Sequence, residues 1–218
     1  MLRRLGLAAT LLALVATACN AKTETPLMAP QDKDKKDDAP KKTEAATLGG
    51  GCFWCIEAVY QEVKGVTAVE SGYTNGTVEK PTYEQVCTGT TGCAEVCKIT
   101  YDPAVIDFKG ILKVFFKVHD PTTLNAQGND HGTQYRSGIY THDEEQKKIA
   151  EQVKKDLDAS GAWKNPIVTE ILPVSKYSKA EDYHQNYFRQ HPGQGYCKFV
   201  IAPKMDKFRK AFEGQLQK

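Results

Sequence analysis

Gly49-Gly50-Gly51-Cys52-Phe53-Trp54-Cys55 is the run in this sequence best suited to chemistry. Three glycines let a backbone turn tightly and approach another group closely. Apolar residues then recur at helical spacing, as Phe53, Ile56, Tyr60 and Val63, with Gly65 placed to end the helix. Cys52 is therefore expected at the first turn of a helix, where free N–H groups and the macrodipole favour the thiolate. The thiolate is the nucleophilic form, so the placement suits covalent catalysis. Cys55 lies three residues on and neighbours Cys52 on such a helix, so a disulfide between them needs only a slight local distortion. A buried structural cysteine is the duller reading, which the flanking glycines and Phe-Trp make less attractive. Cys-x-x-Cys alone fits general thiol–disulfide exchange as well. Cys52, Cys55, Cys93 and Cys97 also have the residue types of a zinc site, although their two pairs lie far apart for a zinc ribbon.

Elements that would position this run are legible in part. Cys97, Ile99 and Tyr101 alternate with polar residues as in a strand. Leu112, Phe115 and Phe116 give a helix face that stops before Pro121. Asp143 can cap a long helix burying Ile149, Val153 and Leu157, which ends at Gly161. Ile167 to Val174 reads as a strand. Ser178 and Glu181 form a capping box for a helix through about Gln190, and Met205, Phe208 and Phe212 mark a last helix. Strands and helices are mixed, with long loops that carry the unusual residues. An α+β two-layer domain with functional loops is the expectation.

Further runs widen the pattern. They are Ser71-Gly72-Tyr73, Pro81 to Cys87, Gly92-Cys93-Ala94-Glu95, His119 to Thr122, Gly128 to Ser137, Glu181 to Tyr187 and Gly195-Tyr196-Cys197. Together with Gly-Cys-Phe-Trp and Glu57, in this order over about residues 47 to 205, they resemble the A-type methionine sulfoxide reductases. The resemblance implies a ferredoxin-like α+β sandwich and reduction of the S epimer of methionine sulfoxide. One departure is Cys93, where the family commonly has histidine, and Cys97 is an extra cysteine on an inward-facing strand. Cys87 reads as a small buried hydrophobe.

The resemblance also implies roles. Cys52 attacks the sulfoxide sulfur, which is electrophilic only when its oxygen is polarised or protonated. Glu95 would supply that proton, kept protonated by a poorly hydrated site, with Tyr83 and Tyr135 as further donors. Phe53 and Trp54 would surround the substrate methyl group, Asp130 would hold its backbone, and His184 would border the cleft. Taken singly, a tyrosine is more often packing and a lone glutamate more often solvated. Cys52 would be left as a sulfenic acid. Cys55 is the first candidate to resolve it, with Cys197 as a second relay after the Pro192–Gly195 loop. A thioredoxin-like dithiol would then reduce the disulfide, and no metal or organic cofactor is required. His119, His142, His191 and Trp163 read as structural, surface or rim residues.

Composition bounds the rest. The chain has 218 residues, 40% hydrophobic, with seven cysteines and a formal charge of +2. One sizeable core is affordable, and nothing points to a nucleic-acid partner. Residues 1–19 read as an export signal: Arg3 and Arg4, an apolar run Leu5–Val15, then Ala16-Thr17-Ala18-Cys19. The ending fits plain secretion, or a lipoprotein whose Cys19 is lipidated and anchors the chain to a membrane; the lone cysteine at the cleavage point favours the lipoprotein. Residues 20–46 are rich in Lys, Asp, Thr, Ala and Pro and read as a disordered tether, which leaves 47–218 as the catalytic domain. The chain is expected in the periplasm or cell envelope.

Overall fold

The computed structural model describes residues 42–217. The expected export signal lies outside the described residues, as does most of the expected tether. The first strand, Glu44–Gly49 (β1), starts three residues before the expected start of the domain and pairs from Glu44 to Leu48 with β3, Ala94–Tyr101. Residues 44–46 are thus part of the sheet and not of a linker.

Six strands form one mixed sheet in the order β7-β6-β1-β3-β2-β8. The others are β2 (Val66–Thr74), β6 (Gly138–Thr141), β7 (Glu170–Pro173) and β8 (Ser178–Lys179). All neighbours are antiparallel except β6 and β7, which run parallel. Helix α1 (Phe53–Tyr60) packs on β2 and β3, while α3 (Phe108–Val118) reaches β1. A long α4 (Glu144–Ala159) lies against α3, β6 and β7.

Side-chain alternation decides which face of the sheet is filled. Cys97, Ile99 and Tyr101 of β3 turn into the main core with Leu48, Ile56 and Phe115. Ala94 and Val96 turn the other way, where Tyr140, Val174 and Tyr177 cover them. On α3 the stripe Phe108, Ile111, Leu112, Phe115 is buried at helical spacing, and Asp107 starts the helix by accepting from the Gly110 N–H. Ile56, Ile99, Ile111 and Leu112 are all fully buried, and each contributes roughly 1.5–3 kcal/mol of burial. Asp143 caps α4 as expected, and Gly161 takes a positive φ just beyond its end.

Two expectations change. The strand expected over 167–174 is confined to β7. The helix expected from Ser178 does not form: Ser178–Lys179 is a strand, a single 3-10 turn covers Asp182–His184, and α5 is only Tyr187–Gln190. The Glu181 carboxylate, needed for the capping box, instead accepts from the Tyr83 N–H and the Tyr73 hydroxyl. Asn186 between the two short pieces adopts a left-handed φ of 55°.

Candidate active site

The glycine run places Cys52. Gly51 has φ +90°, and a Cβ there would lie 2.6 Å from Gln127. A Cβ on Gly50 would come within 3.0 Å of the Phe115 ring. Only glycine lets the turn between β1 and α1 lie this close to the core. Cys52 caps α1 rather than opening its first turn, and it is buried.

Burial changes what the helix start does to that thiol. It pushes Cys52 well above the ordinary thiol range, helped by the hydrogen bond to Cys55 and by Glu95; the Trp54 N–H opposes with a smaller effect. Burial thus works against the thiolate expected at Cys52. The hydrogen bond from Cys52, opposed by burial, holds Cys55 down at about 6. The two thiols share the first charge as a pair, and the hydrogen bond between them gives the Cys52 proton a path to Cys55.

Glu95, on β3, is 1% exposed and accepts the Phe53 N–H at 3.1 Å. Burial raises its carboxyl to about 8, against the Phe53 hydrogen bond, so it is protonated at neutral pH. Tyr83 opens α2 (Tyr83–Cys87), whose Thr82 cap is completed by Gln85. Burial and a hydrogen bond to Cys87 raise the Tyr83 phenol, while burial and Glu95 raise that of Tyr135, on the 3-10 turn Thr133–Tyr135. Both phenols stay protonated and able to donate.

Aromatic rings wall the cleft. Phe53 lies 4.9 Å from the His184 ring and 5.8 Å from Tyr73. Trp54 stacks on Tyr187 at 3.7 Å with planes 5° apart, and its indole N–H donates to His184 Nδ1 at 3.1 Å. That bond leaves the His184 proton on Nε2, and burial keeps the ring neutral. His184 is 1% exposed, and Tyr83 lies 4.6 Å away, ring to ring. Asp130, on the short β5 (Asp130–His131), accepts from the Tyr196 hydroxyl at 2.5 Å. The same hydroxyl lies 3.8 Å from Cys55 Sγ. Cys197, the next residue, is buried in a π-helical turn, Cys197–Ile201, that leads into α6 (Ala202–Ala211). Burial and then the Cys55 charge raise its thiol.

The residues expected from sequence thus gather around Cys52. Cys87 is a correction: it is exposed, because the last turn of α2 faces solvent and its sulfur meets Tyr83 at the rim. Cys97 is buried as expected, its sulfur 3.3 Å from the Phe53 carbonyl. Cys93 turns toward the Val78 carbonyl instead of the Cys52–Cys55 pair. Among the described residues no group of three or more His, Cys, Asp or Glu is arranged to hold a metal. His119 is structural, bound to the Phe115 carbonyl and the Ser137 hydroxyl and pushed down to about 4 by burial.

Three contributors went without a role in the site in the sequence reading. Glu57 is buried on α1 and accepts the N–H groups of Asn186 (2.8 Å) and Tyr187 (3.3 Å). It thereby ties the segment bearing His184 and Tyr187 to the helix bearing Trp54. Glu181 holds Tyr73 and Tyr83, and Tyr196 joins Asp130 to Cys55. All three stand inside the recognised runs, which was the available signal.

A nucleophile-grade thiol pair beside a buried protonated carboxyl defines a cysteine-based oxidoreductase. Comparison with known proteins narrows this. The family model for peptide methionine sulfoxide reductase matches residues 44–216. The MsrA enzyme of Polynucleobacter asymbioticus is 58% identical over 170 residues, 78% of this chain and 90% of that protein. That of Saccharolobus solfataricus is 53% identical over 174 residues, 80% of this chain and 97% of that protein. Reduced Mxr1 from Saccharomyces cerevisiae superposes with a TM-score of 0.66 at 36% identity, covering 73% of this chain and 91% of that one. Methionine sulfoxide reductase A of Corynebacterium diphtheriae gives 0.62 at 37% identity, covering 71% and 77%. The chain belongs to the peptide methionine sulfoxide reductase family, type MsrA, and is an enzyme of that family.

Proposed function

We propose that the chain reduces the S epimer of methionine sulfoxide in proteins by thiolate attack and disulfide recycling. The observation that carries this reading is Glu95, a buried carboxyl raised to about 8 and bonded to the backbone beside Cys52. A protonated acid at that place is what a sulfoxide oxygen needs as its sulfur is attacked. Cys52 passes its proton to Cys55 and attacks the substrate sulfur, while Glu95 protonates the oxygen with Tyr83 and Tyr135 donating beside it. Oxygen moves to Cys52, the substrate leaves as methionine, and Cys52 is a sulfenic acid two electrons more oxidised. Phe53 and Trp54 enclose the methyl group, His184 holds the indole, and Asp130 binds the substrate backbone once Tyr196 yields its hydrogen bond.

Cys55 then attacks Cys52 Sγ and gives up the proton it took from Cys52. Glu95, left as carboxylate by the first step, relays that proton to the departing oxygen, which leaves as water as the disulfide forms. Adjacency on α1 and the lowered Cys55 thiol support Cys55 over Cys197 for this step. Cys197 would take the disulfide over and pass it to a thioredoxin-like dithiol. The adjacency of β6-β1-β3-β2, with α1 and α3 between strands in sequence, supports a ferredoxin-like two-layer sandwich for the core. Sequence alone supports export to the periplasm or cell envelope, with Cys19 as a lipid anchor and the following residues as a tether.

Peptides carrying the separated epimers test the reading. The S epimer is expected to be consumed and the R epimer left intact. Equal consumption of both would contradict the site assignment.

A further inference from the structure

Recycling places a geometric demand on the surface. An external dithiol must bring its sulfur into contact with the enzyme disulfide, so its docking surface must border the cysteine that carries that bond outward. Two residues after Cys197, the side chain of Phe199 is 75% exposed, and Lys198 Nζ lies 5.6 Å from the centre of its ring. The next residue, Val200, lines a groove of about 420 Å³ between α3 and α6, floored by Val118 and Phe208 as well and edged by Lys117, Lys204 and Lys207. Among the described residues no carboxylate lines it. A second groove, of about 750 Å³, shares Lys117 and continues the basic edge through Lys113 and Lys109, each four residues apart on α3. Among the described residues Asp156 is the one carboxylate lining this second groove.

None of these lysines has an ion pair among the described residues. With a formal charge of only +2 on the whole chain, they concentrate positive charge on one side. The field reaches the redox pair, because the Lys204 charge helps lower the Cys55 thiol. An oppositely charged partner would be steered to this side and held by the exposed ring.

We propose that Phe199 and the lysine-edged groove between α3 and α6 are the docking surface for the reductant, an acidic dithiol protein with an apolar rim around its active cysteine. The inference rests on the disulfide-recycling reading above. A reductant thiolate attacks Cys197 in a Cys55–Cys197 disulfide; that bond breaks, Cys55 leaves as thiolate, and a mixed disulfide forms. The second reductant thiol then closes its own disulfide and releases Cys197. The enzyme gains two electrons and the reductant loses two.

Turnover of the full chain with dithiothreitol, and separately with an acidic bacterial thioredoxin, its reductase and NADPH, tests the surface. The variants are Phe199→Ser and the double substitution Lys117→Glu with Lys207→Glu, all on exposed positions outside the catalytic machinery. Dithiothreitol-supported turnover should stay within about twofold of wild type, while the KM for thioredoxin rises roughly tenfold in each variant. Raising salt from about 50 to about 300 mM should lower thioredoxin kcat/KM in wild type and much less in the double variant. An unchanged thioredoxin KM in both variants overturns the proposal. So does binding of wild type to phosphatidylglycerol vesicles that the double variant loses while its thioredoxin KM stays unchanged, which would assign the lysines to a membrane. A wild type that dithiothreitol recycles and thioredoxin cannot would overturn the recycling reading itself, and the surface with it.

Discussion

Cys52→Ser is expected to bring reduction of the S epimer below detection, a loss on the order of 10⁴-fold or more. Serine fits the same buried cap position, so the fold should persist, and a hydroxyl cannot accept the sulfoxide oxygen as a thiolate does. Cys55 cannot take over the role. It lies a helical turn beyond Cys52, near Tyr196, while the acid Glu95 is bonded to the Phe53 N–H immediately after Cys52. The rate of methionine formation from an S-epimer peptide, with dithiothreitol as reductant, checks this. Measurable turnover would remove Cys52 from the nucleophile role.

Glu95→Gln should lower the rate by roughly 10²–10⁴-fold with the fold retained. The amide oxygen can still accept the Phe53 N–H, but the amide cannot supply a proton. The pH profile separates this loss from a packing defect. In wild type, kcat/KM should rise as the thiol pair loses its first proton near Cys55's value of about 6. It should fall again as Glu95 loses its proton through about 8. A carboxyl raised by burial is active in its protonated form, so activity is lost on the alkaline side. The Glu95→Gln profile should lack that alkaline limb at its lower rate. A variant with the wild-type rate, or with the limb intact, would place the proton elsewhere.

Much of the site was legible because its residues stand in short runs around chemically distinctive types. Cys52, Glu95, Tyr83, Tyr135, Asp130 and His184 lie on six separate segments, and the runs named them without any structure. Caps read from local chemistry also held, at Asp143 and at the stop before Pro121. What sequence did not show is what long-range burial decides. The helix start at Cys52 favours thiolate in isolation, yet burial, the Cys55 hydrogen bond and Glu95 work against it there. Ser178 and Glu181 have the spacing of a capping box, but Tyr73 and Tyr83, about a hundred residues away, hold the glutamate in place of a helix. Cys87 was expected inside because thiols usually are; α2 is one and a half turns long and turns that position outward. Glu57 stood in the recognised run without a role, because the Asn186 and Tyr187 N–H groups it accepts lie about 130 residues away.

The central claim is that Cys52 takes the substrate oxygen and Cys55 resolves the product. Peptide mapping by mass spectrometry after a single turnover without reductant tests it most directly, in wild type and in Cys55→Ser. Wild type should release one methionine per chain and carry a Cys52–Cys55 disulfide, whereas Cys55→Ser should show Cys52 as a sulfenic acid or joined to Cys197. A dominant Cys52–Cys197 bond in wild type, with unimpaired thioredoxin-coupled turnover in Cys55→Ser, would contradict the order of resolution. Methionine release with Cys52 still a free thiol would contradict the account as a whole.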